Sequence, residues 1–540
     1  MIDVPRPPTP QDIENYRAKG WWKGETFAQV LEKRARETPD REAMCDARRR
    51  ITYGQLWVEV KRFAEFLRRQ GVARGDVVTL QLPNRIEFPV VFFALELIGA
   101  VANKISADFR ATEVEYILRF SKSKAYVCAA QFKGFDYLAM IRDLRPKLAE
   151  LSLMVCVDDV AAPDVASFAK VVDGTPEIAP QDRVHMSPLD VMRMCFTSGT
   201  TGNPKGVLHC FETTLFACET FNAELAVTER EVLLDYLPVG LNWGYMTLVQ
   251  SVMAGARVVL MERFSAEGVL DLIEKEQVTY IPTAPASIVA ILNAPSLAKR
   301  DLSSLRIVIT GGASAAVETI KAFQVAVPRA KLIELYGMLE TGYHAFTRLT
   351  DDPLKVNGTV GHCVATMGLR IIDDAGNDVP FGEVGEIAAV GPSVHLGYLD
   401  NPTANRDAFT ADGWFRSGDL GQFVDREGNV RIAGRKKEII NRGGKKYFPR
   451  EIEELLYEHP KIVQVAIVGT PDLRLGEKNC MCVVVQPGAV LTLDEVVAFL
   501  RGRVADYKLP EELIVLPELP MTPTGKIRRP ELVKQVTRAG

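Results

Sequence analysis

The sequence predicts an α/β fold with a large N-terminal domain of layered α/β subdomains, a β-rich subdomain at its end, and a small α+β C-terminal domain. Three observations carry that prediction. Strand-like and helix-like stretches alternate through roughly the first two thirds of the chain, which favours largely parallel sheets. The pattern becomes strand–turn–strand near residue 360, and it changes again after Gly434. At 540 residues the chain is also too long for one ordinary domain.

In order, Asp76–Leu82 is β-rich and precedes a helical pattern over Glu87–Ile98. Lys124–Cys128, Leu153–Val157 and Leu305–Thr310 are short apolar runs with the character of buried strands, and Ala266–Glu276 and Ala316–Gln324 have helical spacing. Gly368–Ile387 contains the turn Asp374-Ala375-Gly376-Asn377 and a Pro380-Phe381-Gly382 break, which places a β-rich subdomain at about 360–434. Pro449 opens a helix in the first-turn position that suits proline, and Val463–Gly469 and Cys480–Val485 follow as strands. The boundary therefore falls at about 433–437, giving domains 1–434 and 435–540.

Composition narrows the function classes. The net charge of −4 provides no basic face for nucleic acid. Nine cysteines without a CxxC pair indicate reduced, mostly buried thiols and a cytoplasmic protein, not a zinc or disulfide framework. The N-terminus has no apolar signal core, and the longest apolar run, Phe88–Ala102, is too short to span a membrane. Whether the chain forms a homo-oligomer stays open.

The chemistry is concentrated in a few motifs. Thr197-Ser198-Gly199-Thr200-Thr201-Gly202-Asn203-Pro204-Lys205-Gly206 follows the apolar strand Val191–Phe196. Glycines let the backbone approach an anion, N–H groups and hydroxyls can donate to phosphate oxygens, and Lys205 adds a point charge. The GxxxxGK[ST] spacing of a Walker A loop is absent. Downstream lie Gly311-Gly312-Ala313, Tyr336-Gly337-Met338-Leu339-Glu340-Thr341-Gly342, Trp414–Leu420, Ile432–Lys437 and Thr522–Arg529. The loop and these motifs, in this order from about Glu25 to Arg529, resemble the adenylate-forming superfamily: acyl- and aryl-CoA synthetases, adenylation domains and luciferases.

The resemblance implies ATP, Mg²⁺ and coenzyme A. It assigns the nucleotide to Thr197–Gly202 and Lys205, to Gly311, Gly312 and Ala313 at the adenine edge, and to Tyr336–Leu339. Asp419 and Arg435 would meet the ribose, and Glu340 would hold the metal. A hard carboxylate oxygen suits magnesium, which shares its coordination with substrate phosphates. Thr197, Lys205, Glu340 and Lys526 are the implied catalytic residues, with Lys526 on a mobile C-terminal domain that pivots at Lys437. Gly443, Gly444, Lys445 and Lys446 would face CoA. Leu339 departs from the usual threonine, which removes one phosphate-side hydroxyl. His209 is expected to support the loop structurally, because a carboxylate nucleophile needs no general base.

By the same resemblance, Gly240, Leu241, Asn242, Trp243, Tyr245 and Leu335 shape the acyl pocket. The local spacing matches the dihydroxybenzoate-activating type, with Leu241 in place of its histidine and Trp243 in place of its tyrosine. The expectation is a tunnel shortened by Leu335 and a wide, apolar chamber at Gly240 and Leu241, with few partners for a polar substituent. The substrate would then be a compact cyclic carboxylic acid, benzoate- or cyclohexanecarboxylate-like, joined to CoA through an acyl-adenylate. The nearest relative expected is a cyclohexanecarboxylate–CoA ligase. Two alternatives remain: a stand-alone adenylating enzyme that loads a carrier protein, and a non-catalytic acyl-adenylate binder.

Overall fold

The computed structural model describes residues 2–160, 162–197, 204–312, 315–352, 356, 358–472, 474–522 and 526–539. Ser198, Gly199, Thr200, Thr201, Gly202 and Ala313 lie outside the described residues.

Two large sheets form the N-terminal part. The first has seven strands; Val101–Lys104 and Ser123–Cys128 run parallel to Val77–Gln81, and Val191–Phe196 runs parallel to Val101–Lys104. The chain leaves Val191–Phe196 into the phosphate loop and returns antiparallel as Gly206–Cys210. The second sheet has nine strands, with a parallel run through Tyr280–Thr283, Ile307–Gly311 and Lys331–Met338. A tight turn then reverses the chain into Gly342–Phe346.

The main core joins the sheets. Val78 and Leu80 of one sheet and Ile307 and Ile333 of the other belong to one apolar cluster with helices Phe27–Glu37, Tyr53–Arg69, Glu87–Leu97, Phe211–Glu224 and Asn242–Ala254. This explains the long apolar run seen in the sequence. Every residue of helix Glu87–Leu97 is buried, so that helix has no polar face to show. Among the described residues no helix is long and apolar enough to cross a membrane. Local signals set the helix limits: Thr52 and Gln55 form a capping box at Tyr53, and the Ser265 hydroxyl accepts from the Gly268 N–H to open Ala266–Glu276.

A four-stranded antiparallel sheet follows, from Gly368–Ile372 through Gly385–Val390 and Phe415–Phe423 to Val430–Arg435. The next sheet begins at Ile440–Arg442 and is built on the long antiparallel pair Ile462–Asp472 and Gly476–Val485, with helix Pro449–Leu456 packed against it. The nine cysteines are free thiols; eight are buried and Cys363 is partly exposed.

Candidate active site

The parallel strands of the nine-stranded sheet end together, and their carboxyl ends carry the predicted nucleotide residues, as expected for a ligand beyond the strand ends of an α/β sheet. Gly311 and Leu335 are register partners. A β-carbon on Gly311 would lie 2.8 Å from the Leu335 carbonyl oxygen and 3.1 Å from the Trp243 ring, so only glycine fits there. One residue beyond Leu335, the Tyr336 hydroxyl donates to Asp419 Oδ2 at 3.1 Å. Arg435, opposite Asp419 across the antiparallel pair, places Nε 3.0 Å from Oδ1. Both carboxylate oxygens therefore have a donor. Burial pushes the Tyr336 phenol far above its ordinary range, which keeps it a donor.

Glu340 stands beside this group. Its Oε1 accepts from the Tyr398 hydroxyl at 3.1 Å, and its carbonyl accepts from the His395 N–H at 2.8 Å. Burial raises its carboxyl, while Tyr398 and Lys205 pull the other way. The neck of the phosphate loop is closed by two bonds: Thr197 N–H to the Lys205 carbonyl at 3.0 Å, and Lys205 N–H to the Thr197 hydroxyl at 3.2 Å. Lys205 Nζ then lies 4.7 Å from the Tyr398 ring centre.

Lys526 enters from the C-terminal part. Burial and neighbouring Arg435 depress its ammonium, and Asp419, Glu340 and Glu438 oppose them. The structure thus brings Thr197, Lys205, Tyr336, Glu340, Asp419, Arg435 and Lys526 together from five separate motifs. Lys437 lies between two ties: Lys436 pairs with Asp374, and Glu438 pairs with Arg529 at 3.2 Å. Gly443 and Gly444 form the turn between strands Ile440–Arg442 and Lys445–Tyr447, both with positive φ, and Lys445 lies 5.1 Å from the Tyr507 ring. These residues belong to the small sheet and make no contact with the Asp419 cluster among the described interactions.

His209 is buried between the two halves of the site. Its Nε2 lies 2.8 Å from the Leu339 carbonyl, which can only accept, so that nitrogen carries the proton. Burial and nearby Arg193 hold the imidazole well below its usual range, hence neutral. Leu339 is gripped through its backbone, while its side chain packs with Val207 and Tyr398.

The acyl-pocket stretch differs from expectation in two respects. Gly240 does not open a chamber: a β-carbon there would lie 2.0 Å from the Ile105 carbonyl oxygen, so the glycine serves close packing between backbones. Nor is the region poor in polar partners. Asn242 Oδ1, Trp243 Nε1 and the Tyr245 hydroxyl are buried without a hydrogen-bond partner, as are Lys104 Nζ and Arg193 Nη1. The motif comparison missed Lys104 and Arg193 because they lie in other strands. A signal existed for Arg193, a charge inside the otherwise apolar strand Val191–Phe196; Lys104 closes the short strand Val101–Lys104 after Asn103 and carries no comparable signal. Leu241 is half-buried at the start of helix Asn242–Ala254, and Leu335 is in the main core.

Residues 31–399 match the AMP-binding enzyme family, and residues 451–526 match the AMP-binding enzyme C-terminal domain. The chain belongs to the AMP-binding enzyme family. It is 34% identical to the medium-chain fatty-acid–CoA ligase of Escherichia coli (strain K12), over 97% of this chain and 92% of that protein. It is 31% identical to the 2,3-dihydroxybenzoate-AMP ligase of Bacillus subtilis (strain 168), over 98% of this chain and 97% of that one. Its fold superposes on the anthranilate CoA ligase AuaEII in complex with anthranoyl-AMP with a TM-score of 0.89, 25% identity, and coverage of 96% of this chain and 98% of that one.

As a member of this family the protein is an AMP-forming acid–thiol ligase that uses ATP, Mg²⁺ and CoA. The donor set suits the metal: Glu340 offers hard oxygen, and its raised carboxyl reports a buried negative charge that Tyr398 and Lys205 offset only in part. No cluster of three or more acidic, histidine or cysteine ligands occurs among the described residues.

Proposed function

We infer that this ligase couples a compact cyclic carboxylic acid, benzoate- or cyclohexanecarboxylate-like in size, to CoA through an acyl-adenylate. The observation that supports the chemistry best is Lys526, carried by the C-terminal domain to the side of Glu340, Asp419 and Arg435. A cation there can stabilise the charge that builds between the attacking carboxylate and the α-phosphate. Lys205, at the neck of the phosphate loop, and a magnesium ion on Glu340 would hold the departing pyrophosphate. Tyr336, Asp419 and Arg435, joined through the Asp419 carboxylate, would meet the nucleoside. In this reading Lys437 is the pivot, and the Gly443–Lys446 turn faces CoA after rotation.

Support for a compact acid comes from Trp243, whose ring fills the space against Gly311, and from Leu335, whose carbonyl closes on the same spot. A carrier protein as acceptor is the second reading, favoured by similarity to the 2,3-dihydroxybenzoate-AMP ligase. The deciding experiment is pyrophosphate release across a panel of ring and straight-chain acids, with free CoA consumption followed in the absence of any carrier. Ring acids should turn over and consume CoA. Preference for a C12–C16 chain would sink the compact-ring reading, and pyrophosphate release without CoA consumption would favour the carrier.

A further inference from the structure

Lys104 and Arg193 are the most buried cations among the described residues, at 0% and 1% exposure. They lie on adjacent parallel strands, where Ala102 is the partner of Arg193 and Lys104 of Cys195, so both side chains project from one face of the sheet. The Lys104 ammonium and the Arg193 guanidinium each sit 4.8 Å from the Tyr245 ring centre. Arg193 reaches the Thr214 hydroxyl, at 3.3 and 3.4 Å, and the Tyr245 side chain, Lys104 lies beside the Cys195 thiol, and neither Arg193 Nη1 nor Lys104 Nζ makes a well-aligned hydrogen bond. The ionisable groups that act on Arg193 are Tyr245, Cys195 and Cys218, and those on Lys104 are Cys195 and Arg193 itself; no carboxylate is among them.

Buried Arg85 and half-buried Arg257 are treated differently. Arg85 is clasped by Asp158 and Glu262, and Arg257 by Glu42 and Glu276. Two like charges held in the core without an anion are costly, and the cost is recovered only when an anion arrives. The π face of Tyr245 offsets part of it and leaves the unpartnered N–H groups unused. The place is specific. Tyr245 belongs to the acyl-pocket helix, and the cations act directly on His209, whose other side touches the carbonyl of Leu339, next to Glu340.

We propose that the acid activated by this enzyme carries a second carboxylate, bound by Lys104 and Arg193 at the end of the molecule remote from the adenylating centre. The proposal rests on the ring-acid reading and on the acyl pocket lying at Asn242–Tyr245, and it names the substrate class: a compact ring dicarboxylic acid. Asn242 Oδ1 and Trp243 Nε1 are buried nearby without a hydrogen-bond partner and add polar groups on the same helix as Tyr245.

The test compares matched pairs on the full-length enzyme with ATP, Mg²⁺ and CoA: cyclohexanecarboxylate against its 1,3- and 1,4-dicarboxylates, and benzoate against isophthalate and terephthalate. At least one diacid should exceed its monoacid in kcat/KM by about 100-fold, mainly through KM. Lys104→Met and Arg193→Met should each cut the diacid-to-monoacid ratio by a similar factor. Both should raise the Tm of the ligand-free protein, because an unpaired buried charge is removed. Should either variant prove insoluble, the wild-type ratio and the selective rise of wild-type Tm with diacid still decide. A preference for monoacids, or a ratio unmoved in soluble variants, overturns the proposal while leaving the ring-acid reading intact. Silence from every ring acid, with another acid class turned over, overturns both.

Discussion

The side chains around Asp419 and those around Tyr245 are balanced in opposite ways: Arg435 is exposed beside a buried carboxylate, whereas Lys104 and Arg193 are buried beside a ring. At Asp419 opposite charges meet: Arg435 and Tyr336 occupy its two oxygens, and Lys526 interacts with Asp419, Glu340 and Glu438. At Tyr245 two cations face an aromatic ring, and Glu96, the acid that acts on Tyr245, is engaged by the Ala28 N–H and not by either cation. The contrast follows from what each region must do. In the proposed mechanism the Asp419 cluster persists before ATP binds and then exchanges Lys526 for another face of the small domain, which suits charges that find opposite charges within the protein. The acyl side discriminates between acids, and a charge left uncompensated discriminates most strongly, because only the right ligand completes it.

The largest effect that can break this contrast comes from removing Lys526. Lys526→Ala should lower acyl-adenylate formation, read as ATP–pyrophosphate exchange, by on the order of 10²–10³. Transfer from a supplied acyl-adenylate to CoA should be largely spared, since the small domain presents a different face for that step. Equal loss in both half-reactions would mean that Lys526 is a fixed part of the site, and the division of labour between the two regions would fail.

Acid pH is the next lever, and it acts on the uncharged histidines placed in each region. His344, whose Nε2 lies 3.1 Å from the Gly368 carbonyl and whose ring is 6.0 Å from that of Tyr336, is lowered by burial from 6.5 to about 4. A depressed histidine is protonated first in the unfolded chain. Its contribution is therefore complete above pH 6.5 and is lost as the pH falls toward 4, by about 3 kcal/mol in all. His209, between the cations and Leu339, is shifted in the same direction. Urea midpoints at pH 7.5 and pH 5 should show this loss, and His344→Gln should flatten it. An equal slope in that variant would assign the acid sensitivity elsewhere.

The two regions were unequally legible in the sequence. Tyr336, Glu340, Asp419, Arg435 and Lys526 are read from contiguous motifs whose residues act within a few positions of one another, and the fold brings those motifs to one edge of a sheet. The alternation of elements gave the strands closely; helix Ala266–Glu276 and helix Pro449–Leu456 have the limits their spacing indicates. The acyl side is assembled from residues far apart in the chain. Lys104, Arg193 and Tyr245 meet only through sheet register and a helix packed across it. No local pattern encodes that meeting. Gly240 was misread for the related reason that a glycine beside a pocket and a glycine against a distant carbonyl look identical in sequence.

Gly240 therefore supplies the smallest and most discriminating test. A β-carbon at this position would lie 2.0 Å from the Ile105 carbonyl oxygen and 2.6 Å from its carbonyl carbon, both backbone atoms that no rotamer change can move aside. Gly240→Ala must then push the strand end Val101–Lys104 and the start of helix Asn242–Ala254 apart, at a cost of about 1–3 kcal/mol. Because Ile105 directly follows Lys104, the displacement should also loosen the geometry of the cation pair, so diacid KM should rise along with the fall in Tm. A chamber-lining glycine would behave otherwise. The added methyl would shorten the cavity, shift preference toward smaller acids, and leave the unfolding midpoint where it was. A variant with wild-type Tm and altered acid size preference would return Gly240 to the pocket wall, and the two regions would then differ in shape as well as in charge.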